Sequence, residues 1–254
     1  MSAVSLIFAL APGIASAEHG VDVASWQHPG NQAIDWFAVS GSGQQFAMVK
    51  ATEGLYYMNP YFVQDSLAIR AAGIARGTYH YADVTADPVA QATYYSTVVL
   101  GQNGPLDLPP IIDFEDARGQ SPAHLISWLH RYLDTVQALT GRQPMIYTYP
   151  SFWRNAMANT TEFSGYPLWI ADYNGGDGPN LPLPGGWNHW TFWQYSDSGT
   201  VPGIPANVDV NHFGGGAAGP FSRLANTDAQ GALGPLGSAG SSGSVGIATQ
   251  NLGF

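Results

Sequence analysis

PPIIDFED at 109–116, followed after a short turn by SPAHLISWLHRYLDTVQALTG at 121–141, reads as one strand and one helix. The first run is short, apolar and punctuated by two carboxylates, as expected of a buried strand whose end carries chemistry. In the second, Leu125, Leu129, Tyr132, Leu133 and Val136 fall on one stripe at helical spacing. Ser121 suits the N-cap, Pro122 the first turn and Gly141 the stop. The same alternation extends in both directions. Apolar or aromatic runs at 20–24, 46–51, 77–82, 110–114, 145–149, 168–171, 191–195 and 208–210 give eight candidate strands, and further helices are expected at 61–72 and 88–100. Three early β–α units imply a parallel sheet, and eight strands imply a closed α/β barrel resembling a TIM barrel. Little helix separates the later strands, so the barrel should be irregular there. An antiparallel sheet set on an open parallel one stays open as the alternative.

The ends differ from this middle. MSAVSLIFALAPGIASA at 1–17 reads as a signal peptide: an apolar run, a Pro12-Gly13 break and a small-residue cleavage site at Ala15-Ser16-Ala17. No Lys or Arg precedes the run, and it is too short to span a membrane comfortably. Export, and hence an extracellular location, is the expectation. From 214 to 254 the chain is dominated by Gly, Ala and Ser, with Arg223 and Asp228 its only charges, and reads as a disordered tail. One domain is therefore expected at 18–213.

Composition excludes several functions. Over 254 residues, 8 Lys and Arg face 18 Asp and Glu, a net charge of −10, which argues against a nucleic-acid binder or a polybasic attachment to anionic lipid. With no cysteine there is no thiolate metal site, cysteine nucleophile or disulfide framework. The histidines form no H-x-H or H-x-x-x-H pair, so no metal and no cofactor is expected. Alternation through Tyr79-His80-Tyr81 puts His80 on the face opposite the tyrosines, as a packed, hydrogen-bonded residue.

Four acids lie in or at the ends of apolar strands: Asp22, Asp113, Glu115 and Asp209. In a parallel barrel, strand C-terminal ends project into the mouth where active sites form. Asp113 and Glu115, two apart, share a face. Crowded carboxylates can keep one another protonated near neutral pH, and an acid beside ionised carboxylates is equipment for breaking a glycosidic bond. Lys50, the only lysine, ends the second strand, either screening these acids or standing as an exposed cation. Glu53 reads as a loop residue rather than a catalyst.

Eight segments, in order, carry a family resemblance: HGVDVASWQ, FAMVKATEG, GTYHYAD, IIDFED, MIYTYPSFW, LWIADYN, TFWQYS and VDVNHF. Together they resemble the glycoside hydrolase family 25 muramidases, the Chalaropsis-type lysozymes, over nearly all of 18–213. The resemblance implies a flattened β/α barrel and hydrolysis of the β-1,4 bond between N-acetylmuramic acid and N-acetylglucosamine in peptidoglycan. It implies Glu115 as general acid/base, with Asp113, Asp22 and Asp209 as the other acids of the site, and retention of configuration. The attacking group is either a carboxylate or the substrate's own 2-acetamido group, and the second is favoured because both sugars carry one. By family position Tyr81, Tyr147 and Trp193 line the groove, with Lys50 beside them. In QHPGNQAIDW, extra residues between Gln27 and Ile34 depart from the family pattern and are expected at the groove rim. The expected partner is a peptidoglycan strand, with no membrane after signal removal and a monomeric chain. The rival functions are a catalytically silent glycan-binding barrel and a glycosidase for another N-acetylglucosamine polymer such as chitin; the D-x-x-D-x-D-x-E motif expected of the latter is absent.

Overall fold

The computed structural model describes residues 18–100, 104–215 and 221–225; the leader at 1–17 and most of the 214–254 segment lie outside them. Nine strands form one sheet: β1 (His19–Val23), β2 (Gln44–Glu53), β3 (Tyr57–Met58), β4 (Ala75–Tyr81), β5 (Asp107–Asp113), β6 (Met145–Thr148), β7 (Leu168–Ala171), β8 (Phe192–Gly199) and β9 (Val208–Phe213). Their order is β1-β9-β8-β7-β6-β5-β4-β2-β3, and β1 also pairs with β2, closing eight strands into a barrel with β3 as an appended hairpin strand. That pairing settles the choice between barrel and open sheet. Seven barrel strands run parallel; β9 is antiparallel to both neighbours, β8 and β1. The irregularity therefore falls on the helix-poor side.

Local chemistry sets the helices. In α4 (Pro122–Thr140), Ser121 Oγ accepts from His124 N, Gly141 takes the left-handed stop at φ 72°, and the whole apolar stripe is buried. Asp35 caps α1 (Trp36–Gly41) and Asp87 caps α3 (Pro88–Val98); α2 (Phe62–Ala71) and α5 (Pro150–Asn155) complete the outer layer. Strand parity then divides the core in two. Val21, Val49, Ile112, Ile146 and Ile170 pack outward against helices. Phe46, Met48, Tyr79, Ile111, Tyr147, Trp169 and Phe192 fill the barrel. Gly20 is required on the inner face of β1, because a Cβ there would lie 2.3 Å from the Phe46 ring.

One segment departs from its sequence reading. Residues 214–254 read as a single flexible tail, yet Phe221–Leu224 form a short helix, α6, against the bottom of the barrel. Phe221 packs 5.1 Å from Phe213 and 5.9 Å from Phe46, ring centre to ring centre, and Leu224 and Ala225 are buried. Ala225 O accepts from Leu106 N at 2.7 Å, and Leu224 O accepts from Arg142 Nη2 at 2.8 Å. Three apolar residues within five were enough to cap an open barrel end that presents apolar rings and free backbone groups.

Candidate active site

At the opposite end, inner-face acids of three strands converge. Asp22 of β1 and Asp113 of β5 are buried inside the mouth, and Glu115, just past β5, and Asp209 of β9 are half-buried at its edge. Asp22 and Asp209 face one another across the β1–β9 ladder. Asp22 Oδ2 accepts from Asn211 Nδ2 at 2.8 Å and from Gln194 Nε2 at 2.9 Å. Asp113 Oδ1 is buried with no hydrogen-bond partner.

Gln194 is the hub of this network. Its Oε1 accepts the hydroxyls of Tyr147 at 2.8 Å and Tyr173 at 2.6 Å. Two phenol donors on that oxygen turn the Nε2 amide toward Asp22, with Asp209 Oδ2 3.4 Å away. Neither Gln194 nor Asn211 was singled out from sequence. The available signal was parity: both sit at inner positions, Asn211 on β9 beside Asp22 and Gln194 on β8, the next strand over.

Burial drives the electrostatics. It raises the carboxyl of Asp113 well above the usual range, and the neighbouring charge of Glu115 adds to it. Burial also raises Glu115, followed by repulsion from Asp116, while Lys50 opposes the shift. Asp209 is pushed up to about 9 by burial and by Asp22; Asp22 is itself raised by burial, against its hydrogen bonds from Asn211 and Gln194. A site with few cations therefore holds protons on carboxyls at pH values where free ones have lost them.

Lys50 lies on the inner face and three residues short of the end of β2, not at it. A bulge at Ala51 resets the parity: Lys50 pairs with Tyr79, but Thr52 pairs with His80 and Glu53 with Tyr81. Asn59 holds the bulge, its Nδ2 on Lys50 O and its backbone N on Ala51 O. Lys50 and Glu53 consequently face the same way and pair at 2.5 Å, with the ammonium 4.8 Å from the Tyr81 ring centre. Glu53 is the last residue of the strand rather than a loop residue.

Tyr81 and Tyr147 belong to this mouth, and Trp193 does not. Parity along β8 points Gln194 inward and Trp193 outward, where the indole is buried in the outer core and donates to Asp172 O at 2.9 Å. His80 is fully buried on the outer face between Thr52 and Gln91, and burial lowers it to about 4. The segment between Gln27 and Ile34 is anchored by buried His28, which lies between Asp65 Oδ2 at 2.9 Å and Gln32 O at 2.8 Å. Among the described residues no group of three His, Asp or Glu side chains is placed to hold a metal ion, and no helix is long and apolar enough to cross a membrane.

Beside the acids lies a cleft of about 380 Å³ lined by Glu115, Tyr147, Tyr149, Ser151, Asp172 and Tyr173. Phenol faces and hydroxyls suit the apolar C–H faces and the hydroxyls of a sugar ring. A barrel mouth that keeps one carboxyl protonated among others, next to such a cleft, is the arrangement of a glycoside hydrolase. The chain belongs to the glycosyl hydrolases family 25, whose sequence model matches residues 21–204. It is similar to Lysozyme M1 of Streptomyces globisporus, 33% identical over 86% of this chain and 75% of that one. The N,O-diacetylmuramidase of Chalaropsis sp. is 33% identical over 81% of this chain and 98% of its own. The crystal structure of the bacterial lysozyme from Streptomyces coelicolor superposes with a TM-score of 0.76 at 33% identity, covering 84% of this chain and 99% of that chain.

Proposed function

We propose that this glycoside hydrolase is a secreted muramidase that cleaves the β-1,4 bond between N-acetylmuramic acid and N-acetylglucosamine in peptidoglycan. The observation that carries the reading is Glu115, a half-buried carboxyl raised by burial, on the rim of the tyrosine-lined cleft and beside Asp113. Lysozyme and muramidase relatives spanning most of the chain support the substrate. The leader at 1–17 supports export.

In this mechanism Glu115 protonates the leaving glycosidic oxygen. The 2-acetamido oxygen of the sugar attacks the anomeric carbon from the opposite face, and Asp113 orients that group and balances the developing positive charge. Glu115, now ionised, takes a proton from the water that opens the intermediate, so configuration is retained and the acid is regenerated. The Asp22–Asp209 pair tunes the field behind Asp113, with Gln194 fixing its geometry. Tyr81, Tyr147 and Lys50 line the substrate side.

The test is a turbidity assay on purified peptidoglycan, with mass analysis of the released fragments and NMR of the first anomer formed. New reducing ends on N-acetylmuramic acid, released first as the β-anomer, are expected. Reducing N-acetylglucosamine ends overturn the bond assignment, and first release of the α-anomer overturns retention.

A further inference from the structure

Trp26 is 84% exposed, while the other seven tryptophans are buried or half-buried. It does not dangle. Its turn, Ser25–Gln27, follows β1 directly, and Gln27 pins it: the side-chain oxygen accepts from Ala24 N at 2.8 Å and Nε2 donates to Asn207 O at 3.1 Å. A large apolar ring presented to water from a pinned turn gains contact area on binding while its backbone has little left to order, which suits it for recognition.

The β2–β3 hairpin stands next to it. Tyr57 donates its hydroxyl to Ser25 Oγ at 3.1 Å, and Tyr56 donates to Glu53 Oε1 at 3.0 Å. At this tip Leu55 is 48%, Tyr56 65% and Met58 41% exposed. The patch is continuous with the catalytic mouth, because Lys50 on the inner face lies 5.5 Å from the Tyr57 ring centre and 4.8 Å from that of Tyr81. Around the ring, β1 and β2 lie across from β6, whose Tyr147 lines the cleft. A bond cut at Glu115 has sugar on both sides, and the cleft accommodates one of them.

We propose that Trp26 and the 55–58 tip form a second sugar-binding wall that stacks on the N-acetylhexosamine units lying beyond the cleaved bond from the tyrosine cleft. The ligand is the continuing glycan strand, so the wall rests on the muramidase reading and deepens it. It makes the enzyme favour long glycans over short ones.

Trp26 supplies its own probe. In Glu115→Gln, which cannot cut, acrylamide quenching of tryptophan fluorescence reports mainly the exposed indole. Long peptidoglycan glycan oligomers are expected to shield it and a disaccharide is not; in Glu115→Gln carrying Trp26→Phe the shielding disappears. On the active enzyme, Trp26→Ala is expected to raise KM for long glycans about tenfold, the size of one aromatic stacking contact, and to flatten the preference for length. Trp26→Phe is expected to recover most of it. If the enzyme cuts peptidoglycan while bound long glycans leave Trp26 as quenchable as before, or Trp26→Ala keeps the length preference, the wall is wrong and the muramidase reading stands. If the protein cuts no glycan, the reading and the wall fall together.

Discussion

Asp107 and Asp113 stand at opposite ends of β5, and they live in opposite worlds. At the bottom, Asp107 is 1% exposed and its carboxylate is saturated. Arg76 donates through Nε at 3.1 Å and Nη2 at 2.6 Å, Gly104 N donates at 2.9 Å, and Arg70 pairs with the other oxygen. Arg142 and α6 close the floor around it. At the top, Asp113 is nearly as buried, but one oxygen has no partner and, Lys50 apart, its charged neighbours are other acids. The bottom satisfies every charge and so holds the barrel closed. The top leaves charge unsatisfied, which costs stability but keeps protons available for catalysis.

The strongest way to break this comparison is at the proton donor. Glu115→Gln keeps shape and hydrogen bonding but loses the transferable proton, so turnover should fall roughly 10²–10⁴-fold, the usual worth of general acid–base catalysis. Melting temperature should hold or rise. A Glu115→Gln enzyme near wild-type turnover, on folded protein, would remove the acid assignment.

The same substitution at the two ends of β5 should act with opposite sign. Asp107→Asn leaves the buried Arg76 guanidinium without its counter-charge, and losing one partner of a buried pair costs about 3–5 kcal/mol. Urea unfolding should show that loss, while the surviving folded protein keeps its pH profile. Asp113→Asn should be severely impaired in turnover yet melt roughly 2–4 °C higher at neutral pH, the return on about 1 kcal/mol in a chain of this length. The sign follows from linkage. Where burial raises a carboxyl's folded pKa, the native state holds more protons than the unfolded chain, so stability declines as pH climbs from about 4, the unfolded value, through the raised one. With Asp209 raised to about 9, that decline extends across neutral pH. Asp113→Asn should flatten the slope. A melting temperature that fell in Asp113→Asn as it does in Asp107→Asn would erase the distinction between the two ends.

Much of this division was legible in the sequence, and the exceptions have physical causes. All eight barrel strands follow from short apolar or aromatic runs, because parallel strands are buried on both faces; the shared face of Asp113 and Glu115 follows from period-two alternation, which holds wherever a strand is regular. It fails at Ala51, where the bulge adds a residue and turns Glu53 inward beside Lys50; nothing in KATEG announces a bulge. Trp193 is the reverse case. Alternation along Phe192-Trp193-Gln194 points it outward, whereas the family resemblance placed it in the groove. The floor was hidden by composition: Phe221, Leu224 and Ala225 are too few to stand out in a stretch rich in Gly, Ala and Ser, and their value comes from the barrel end they cover.

That floor gives the next test. Ending the chain after Gly216 removes α6, exposes Leu106 N and deprives Arg142 of Leu224 O. Losing the buried Leu224 and Ala225, the half-buried Phe221 and these bonds should cost about 3 kcal/mol, a drop of roughly 6–12 °C in Tm. A chain ended after Ala225 keeps the cap and should melt like the whole barrel. Activity of the folded Gly216 truncation at low temperature should be intact, because the floor lies at the far end from the acids. Unchanged melting after truncation at Gly216 would show that the barrel closes without its floor.

The finest adjustment is Lys50, the single lysine, set among acids but already paired with Glu53. Its charge favours the ionised forms of Asp113 and Glu115 and so opposes the rise that burial causes in both. Lys50→Met should therefore move both carboxyls up. Glu115 would stay protonated to higher pH, carrying the alkaline limb of kcat/KM upward. Asp113 would ionise later, carrying the acid limb upward with it, so the bell should shift without widening. Glu53→Gln should move it the other way, because an anion that raises Asp113 is removed and Lys50 is freed to act on the acids. Opposite displacements in the two variants would show Lys50 and Glu53 acting as one balanced pair on the catalytic carboxyls. A profile that stays in place in Lys50→Met, with KM for glycan raised, would assign the ammonium to substrate binding alone.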